Sequence, residues 1–452
     1  MRPSIDKNLQ VSVTNRQILQ IALPISASLI IPNVNFITNN IFLGGLGIKE
    51  LGNAGITGVY YLIMMISGNG LGNALQAIIS RKGGENKPGE IHIVFAQGIR
   101  IALWFAFGGM LFTRFVAPLC LQPFIEPRNF RQEMDFLRIR MWGLPFLYLF
   151  QAGNAFLVGT LNSRFLVVGT IGQAVINIFF DYALIYGALS FPQLGFNGAA
   201  VASVIAEMSG MIIVYVVIFR MGLKKKFKLF NNFRYNKVYS RTVLKISAPL
   251  ILQFVLSTVT WLMFFILLEQ YGDRAKAISN AMRNIFGLVG IMIWAFASTT
   301  NTMTSNLIGQ GLNNKVVTAV NKIMLLSLGT TLCMLAVLNI FPYHFLGLFR
   351  QNDLFVREAL PVLRVVSLGM VLMSIAAVWL NAVTGTGKTK MNLVIEIAAI
   401  TFYLFYTLII VKKLKLPLAI VWSNELVYWL VIFSVSFWFI KKGRWKDGLE
   451  GI

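Results

Sequence analysis

Histidine, cysteine and acidic residues are scarce in this chain. Of 452 residues, two are histidine, two are cysteine and 17 are aspartate or glutamate. Each scarcity excludes a kind of chemistry. His92 and His344 lie far apart and near helix ends, so no histidine cluster exists to hold a metal. There is no Cys-x-x-Cys pair and no Walker-type phosphate loop. The string GTGKT at 385–389 lacks the leading glycine spacing of such a loop and follows an apolar run, so it reads as a turn on the cytoplasmic side. A membrane enzyme such as a polytopic acyltransferase needs a positioned base, nucleophile or metal, and no such set is visible. We therefore expect no catalytic residues, no cofactor and no ATP-driven step. Cys120 lies near an outer loop and Cys333 within a helix, so no disulfide is expected.

What the chain has instead is apolar length. It is 56% hydrophobic and 13% charged, with a mean hydropathy of +0.70, more apolar surface than a soluble domain can bury. Runs of about 20 residues, each long enough to cross a bilayer, recur about twelve times. They fall near 17–43, 54–79, 93–117, 137–160, 165–190, 197–220, 243–268, 277–307, 316–346, 357–384, 391–411 and 417–440. In lipid the backbone must satisfy its own hydrogen bonds, so these are helices. The expected fold is all-α and integral to the membrane. The polar segment 1–16 leads directly into a helix too long for a cleavable signal, so the spans themselves are expected to hold the protein in the bilayer.

The chain also contains itself twice. Residues 22–47, ALPISASLIIPNVNFITNNIFLGGLG, correspond to 247–272, SAPLILQFVLSTVTWLMFFILLEQYG, with Pro24 opposite Pro249 and Gly47 opposite Gly272. Further on, 67–87 pairs with 297–315, and 140–163 with 364–389. Six helices, a basic linker and six more helices result: an N-lobe over 1–220, a cytoplasmic linker over 221–242 and a C-lobe over 243–452. Six crossings return the chain to the side where it began. The halves are therefore parallel repeats, two six-helix lobes related by a pseudo-two-fold axis along the membrane normal, an arrangement typical of transporters.

The net charge of +23 does not indicate nucleic acid, because the basic residues sit in loops, as the positive-inside rule requires. Lys224, Lys225, Lys226, Lys228, Arg234, Lys237 and Arg241 cluster around the linker. Arg81, Lys82 and Lys87, then Lys388 and Lys390, then Lys441, Lys442, Arg444 and Lys446 form smaller groups. With twelve spans these fall on the side of both termini, the expected cytoplasmic face of a plasma membrane (the inner membrane in a bacterium). Lys412, Lys413 and Lys415 fall on the other side.

Ionisable residues inside a membrane are costly and so are functional candidates. Asp181 lies mid-span, with Asn177 and Gln173 at successive four-residue steps before it, on one helix face. A buried carboxylate beside amide oxygens can hold a proton or coordinate a hard cation such as sodium. The other reading is a hydrogen-bonding stripe between helices. Asn35, Asn39, Gln151, Asn154, Ser203 and Glu207 add polarity to the first half. Gln253, Ser257, Thr258, Thr260 and Glu396 do so in the second. Glu425 reads equally as an interfacial ion pair. Arg283 is the clear mid-span cation, with Arg100 nearer an end. Trp261, Trp294 and Trp379 are aromatic candidates for a cavity that takes large apolar cations.

These features resemble one family. The Pro-led first helix ending FLGGLG, the segment SGNGLGNALQ, GTLNS before NIFFDYALIYG, GFNGAAVAS, and the closing VWSNELVYW with KKGRW are similar to the multidrug and toxic compound extrusion (MATE) family, in order and over nearly the whole chain. The resemblance implies two six-helix lobes forming a V and an antiporter that exports organic cations and drugs against protons or sodium. It carries the family's Asn-x-x-x-Asp onto Asn177 and Asp181, and its sixth-helix hydroxyl onto Ser203. The first-helix aspartate of the family falls at Asn39, and the seventh- and tenth-helix acids fall at Ser257 and Met373. Asp181 is then the one recognisable coupling carboxylate, with Asn177, Asn39 and Ser203 around it. Glu207 and Glu396 are candidates to compensate for the missing acids. Asn35, Gln151, Asn154, Gln173, Glu207, Ser257, Trp261 and Glu396 are the expected cavity residues. A flippase for lipid-linked saccharides shares the broad architecture, but it usually carries a basic cavity. The expected partners are the bilayer and small organic cations, with a monomeric protein.

Overall fold

The computed structural model describes residues 9–231, 233–347 and 353–446. The first eight residues of the polar N-terminal segment and the last six of the expected C-lobe lie outside them. Among the described residues the long elements are all helical. They are α1 (Asn15–Gly44), α2 (Ile48–Gly84), α3 (Pro88–Leu121), α4 (Pro127–Gly159), α5 (Ser163–Tyr186) and α6 (Phe196–Arg220), then α7 (Lys237–Leu268), α8 (Gly272–Gly309), α9 (Asn313–Ile340), α10 (Asp353–Gly385), α11 (Thr389–Leu414) and α12 (Leu418–Lys442). Among the described residues, eleven segments are long and apolar enough to cross a bilayer, the longest, Lys237–Gly309, holding both α7 and α8, which are joined by the short turn Glu269–Tyr271. Large apolar side chains stand on outward faces, Trp104 at 72% exposure and Phe405 at 67%. A water-soluble surface would not carry them in such numbers; lipid does.

Local chemistry sets the helix ends. Pro88 and Pro127 open α3 and α4 at first-turn positions, where a missing N–H costs nothing. Gly187 closes α5 in the left-handed region, at φ 71°, a conformation that carries no Cβ penalty in glycine.

By contact the chain forms two units. Among the described residues, one comprises Ala27–Ile251 with Leu9, and the other Gln10–Ser26 with those from Leu252 onward. Hence α1 begins in the second unit and ends in the first, while α7 begins in the first and ends in the second. The crossing points, Ser26/Ala27 and Ile251/Leu252, fall at equivalent places just beyond Pro24 and Pro249, the paired prolines of the repeat. The repeat is therefore visible in how the helices are shared as well as in their order.

Within the first unit α5 and α6 pack closely. A Cβ on Gly198 would lie 2.6 Å from the Leu184 carbonyl oxygen, so only glycine admits this approach. Within the second unit α8 is lined by small polar residues, Thr299 to Asn306, all but fully buried. Thr299 and Thr300 return their hydroxyls to the carbonyls one turn back, at 2.8 Å each, so these two hydroxyls do not face their apolar neighbours unpaired.

The basic linker packs against its own unit. Phe227 and Leu229 are buried. Phe227 meets Phe156 edge-on at 5.4 Å. Gln97 donates to the Arg234 carbonyl at 3.1 Å and accepts from Ser240 at 3.0 Å. Just before α3, outside the spans, Lys87 reaches Glu85 at 3.2 Å, and that hydrogen bond holds its ammonium above the ordinary lysine value.

Candidate functional site

Asp181 anchors a polar string in the first unit. Asn177 and Asp181 lie one turn apart on α5, and Asn177 Nδ2 donates to Asp181 Oδ2 at 3.0 Å. Asn177 Oδ1 accepts from Asn35 Nδ2 on α1. Asp181 is fully buried, yet its second oxygen, Oδ1, has no partner. The side-chain oxygens of Asn35 and Asn39, one turn apart on α1, are also buried without partners. Unsatisfied buried acceptors are rare because they cost free energy, and acceptors alone ask for a proton, a donor or a cation.

A buried ion pair adjoins this string. Arg140 on α4 grips Glu207 on α6 with both arms, Nη1 to Oε2 at 3.1 Å and Nη2 to Oε1 at 3.0 Å. The Tyr61 hydroxyl on α2 lies 2.9 Å from both carboxylate oxygens, and the guanidinium lies over the Tyr61 ring at 3.6 Å. Gly143, one turn after Arg140, leaves the room for this, since a Cβ there would run into Glu207 Oε2. Arg140 also stands within electrostatic reach of Asp181. The arrangement links Asn35, Asn177 and Asp181 to Arg140, Glu207 and Tyr61 across α1, α2, α4, α5 and α6.

Arg140 and Tyr61 were not legible as site residues. The expected fourth span starts near 137, whereas α4 starts at Pro127, which puts Arg140 inside the helix rather than at its edge. The polar stretch 127–140 hides this because its buried face, Glu133, Met134, Phe136, Leu137 and Arg140, is narrow. Proline at the helix start is the signal that could have revealed it. Arg140 therefore joins Arg283 as a cation within the spans. Arg283 itself stacks on Phe265 at 5.7 Å.

Other expected residues take separate places. Gln151 donates to Asn69 Oδ1 at 2.9 Å and to the Met65 carbonyl at 3.1 Å. Asn154 leaves its oxygen unpaired. Gln173 packs where Gly210 leaves space on α6. Ser203 is half-buried one turn before Glu207.

In the second unit Ser257 pairs with the Tyr428 hydroxyl at 3.0 Å, and Tyr428 donates to Glu396 Oε1 at 2.6 Å. Trp261 packs edge-on against Phe265 at 4.7 Å. Trp379 is buried, its indole N–H on Met324 Sδ at 3.3 Å. Glu425 forms no interfacial ion pair. It is 3% exposed and accepts the indole N–H of Trp429 at 3.1 Å, because α12 turns it into the helix packing. Among the described residues no three His, Cys, Asp or Glu side chains gather as a metal cluster. Any ion here would meet one carboxylate with amide and hydroxyl oxygens, a donor set suited to a proton or a hard monovalent cation.

The MatE family profile matches residues 24–183 and 249–409, two stretches that begin at Pro24 and Pro249. The chain belongs to the MatE family, a family of membrane transporters. A probable multidrug resistance protein NorM from Thermotoga maritima is 22% identical, over 99% of this chain and 97% of that one. The multidrug resistance protein NorM of Aliivibrio fischeri is 21% identical over 60% of this chain and 59% of its own. Among solved structures, a MOP superfamily transporter from Pyrococcus furiosus, described as having a binding pocket of reverse polarity, superposes with a TM-score of 0.87 at 16% identity, covering 97% of this chain and 98% of that one. An outward-facing multidrug resistance MATE transporter of the MOP superfamily gives 0.86 at 17% identity, covering 97% of each chain. These likenesses bear out the family resemblance and the two-lobed, all-α membrane fold.

Proposed function

We propose that the protein is a secondary antiporter that exports organic cations and drugs in exchange for protons or sodium, with Asp181 as the coupling group. The observation that carries this is the free oxygen of a fully buried carboxylate, Asp181 Oδ1, on a string that also holds the unpaired oxygens of Asn35 and Asn39. The multidrug resistance names of the relatives support the substrate class.

Asp181 exchanges its proton or ion as access alternates. Its charge state changes the balance among Asn177, Asn35 and Arg140, and so biases helix packing in the first unit. Ion and drug need only bind the two states differently to be coupled. Ser203 and Asn39 complete the coupling region in this reading. Gln151, Asn154, Gln173, Ser257, Trp261 and Glu396 supply polar and aromatic lining. Glu207 acts through Arg140, holding it beside the string. Both termini face the cytoplasm, the protein sits in the plasma membrane (the inner membrane in a bacterium) and it works as a monomer.

The test is uptake of a fluorescent organic cation into proteoliposomes, with a proton gradient and a sodium gradient imposed separately, for wild type and Asp181→Asn. Uptake driven by one gradient and lost in the variant supports the reading and names the ion. Gradient-driven uptake that survives in the variant removes Asp181 from the mechanism. No gradient-driven movement by folded wild type turns the reading toward a lipid-linked saccharide flippase.

A further inference from the structure

The segment that leaves α6 and enters α7 carries charge of one sign only. From Met208 to Leu268 there is no aspartate or glutamate, while nine lysines and arginines fall between Arg220 and Lys245. Among the described residues, no carboxylate stands within ion-pair distance of Lys224, Lys225 or Lys228. Glu90, which accepts from the Tyr239 hydroxyl just beyond the linker at 2.6 Å, is already held by Lys82 and Lys87.

The linker presents these cations from a fixed backbone. Leu223, Phe227 and Leu229 turn inward, at 6%, 1% and 0% exposure, while Lys224, Lys225 and Lys228 are exposed. Lys228 and Phe230 adopt left-handed backbone, at φ 51° and 66°, which a bulky residue keeps only where its surroundings hold it. Phe230 is so held. Its ring lies 6.1 Å from Phe95, 6.3 Å from Tyr215 and 5.7 Å from Phe219. Three residues on, buried Gln97 accepts the Asn236 N–H at 3.3 Å and donates to the Arg234 carbonyl at 3.1 Å. Between these two anchors the Phe233 ring lies flat on Phe230, at 5.8 Å and 7°.

The result is a row of three rings, Phe219, Phe230 and Phe233, with a cation at each end. Lys224 Nζ stands 5.3 Å from the Phe219 centroid, and Arg100 Cζ of α3 stands 5.7 Å from that of Phe233. A cation over a ring face still has N–H groups to give to an anion. The rings are partly open, Phe219 at 44% and Phe233 at 38% exposure. A dissolved anion would answer the charge and leave the rings wet. A neutral lipid would cover the rings and leave the charge unanswered. A lipid with an anionic head and apolar tails does both.

We propose that the ring row Phe219–Phe230–Phe233, with Lys224 and Arg100 at its ends and the exposed Lys225 and Lys228 of the same linker, binds an anionic phospholipid. The cations take the phosphate and the rings take the upper acyl chain. Bound lipid then holds the linker where it feeds α7. The site is separate from Asp181 and its test uses no transported substrate, so the proposed antiport stands or falls independently.

The experiment is native mass spectrometry of the purified, delipidated full chain titrated with dioleoyl phosphatidylglycerol or dioleoyl phosphatidylcholine, reading the affinity for the first bound lipid. Each variant is first checked for helicity and monodispersity. We expect phosphatidylglycerol to bind more tightly than phosphatidylcholine and to resist displacement by inorganic phosphate. Replacing Lys224, Lys225 and Lys228 by glutamine should weaken it by roughly fivefold for each lysine removed. Arg100→Gln and Phe233→Ser should weaken it too. Glutamine at Lys412, Lys413 and Lys415, which removes the same charge elsewhere, should leave it unchanged. Equal affinity for the two lipids would overturn the proposal, as would displacement by phosphate, which marks a free-anion site. An equal loss in the charge-matched control, or none in Phe233→Ser, would reduce the site to general attraction between charges and overturn it as well. If the linker triple variant fails to fold, Arg100→Gln and Phe233→Ser decide: weakened binding in both supports the site, and unchanged binding in either refutes it.

Discussion

The first unit buries an acid against an arginine, and the second buries two acids against hydroxyl, amide and indole groups. Glu207 receives both arms of Arg140 and the Tyr61 hydroxyl. Glu396 and Glu425 receive only neutral donors. Asp181 stands between these cases, with one oxygen on an amide, one oxygen free and Arg140 in reach rather than in contact. Burial is nearly the same for all four, so burial alone does not say what a membrane acid does. The charge of its partner does. A matched pair is a fixed structural element, and an unmatched carboxylate is one whose charge can change during a cycle.

The largest effect should come from unmatching the matched pair. Arg140→Ala leaves Glu207 buried without its cation, and breaking a buried pair in this way costs about 3–5 kcal/mol. Thermal unfolding in detergent measures it. Replacing both partners with apolar residues, Arg140→Met with Glu207→Leu, should recover most of that loss, because neither charge is then stranded. If the double variant unfolds as readily as the single one, Glu207 is not held mainly by charge and the contrast between the units disappears.

Next comes Asp181→Asn, where the effect should be on coupling rather than on folding. Gradient-driven export should fall by roughly 5–150-fold, the usual span of coupling free energies, while the unfolding temperature stays close to wild type. Loss of folding instead would place Asp181 with Glu207 as a structural group. A smaller effect separates two glycines. Gly143→Ala should cost about 1–3 kcal/mol by overpacking against Glu207, since its Cβ has no room. Gly287→Ala on α8 meets nothing within 4 Å and should gain roughly 0.5–1 kcal/mol from helix propensity. Equal losses at both positions would show that the Glu207 niche yields more easily than the geometry implies.

The parts of this molecule that were readable from sequence are the local and periodic ones. Apolar runs, turn glycines and the Pro24–Pro249 correspondence need no knowledge of which face of a helix points where, and the Asn177–Asp181 spacing lies within one helix. The partners could not be read in the same way. Arg140 meets Glu207 across 67 positions and Tyr428 meets Glu396 across 32. A helix apolar on every side gives no signal of its rotation about its own axis. The packing of the linker was hidden for a related reason. Its lysines dominate the composition, while only a few side chains, Phe227 and Leu229 among them, decide that it packs down.

The smallest effect tests whether distance or burial governs these pairs. Arg274 and Glu358 approach to 3.2 Å with side chains 51% and 41% exposed, while Arg140 and Glu207 approach to 3.0 Å at 11% and 6%. The separations are almost the same, and the surroundings are not. Water screens the outer pair and holding two long side chains in one geometry costs entropy, so Arg274→Ala should lower stability by only about 0.2–1 kcal/mol. That loss should shrink further at high salt, where the Debye length falls to about 3 Å at 1 M. Unfolding of this variant beside Arg140→Ala, at low and high ionic strength, gives the comparison directly. A large, salt-insensitive loss at Arg274 would mean that close approach is enough to make an ion pair structural, and the distinction drawn between Glu207 and the unpaired acids would then have to rest on something other than charge matching in a dry interior.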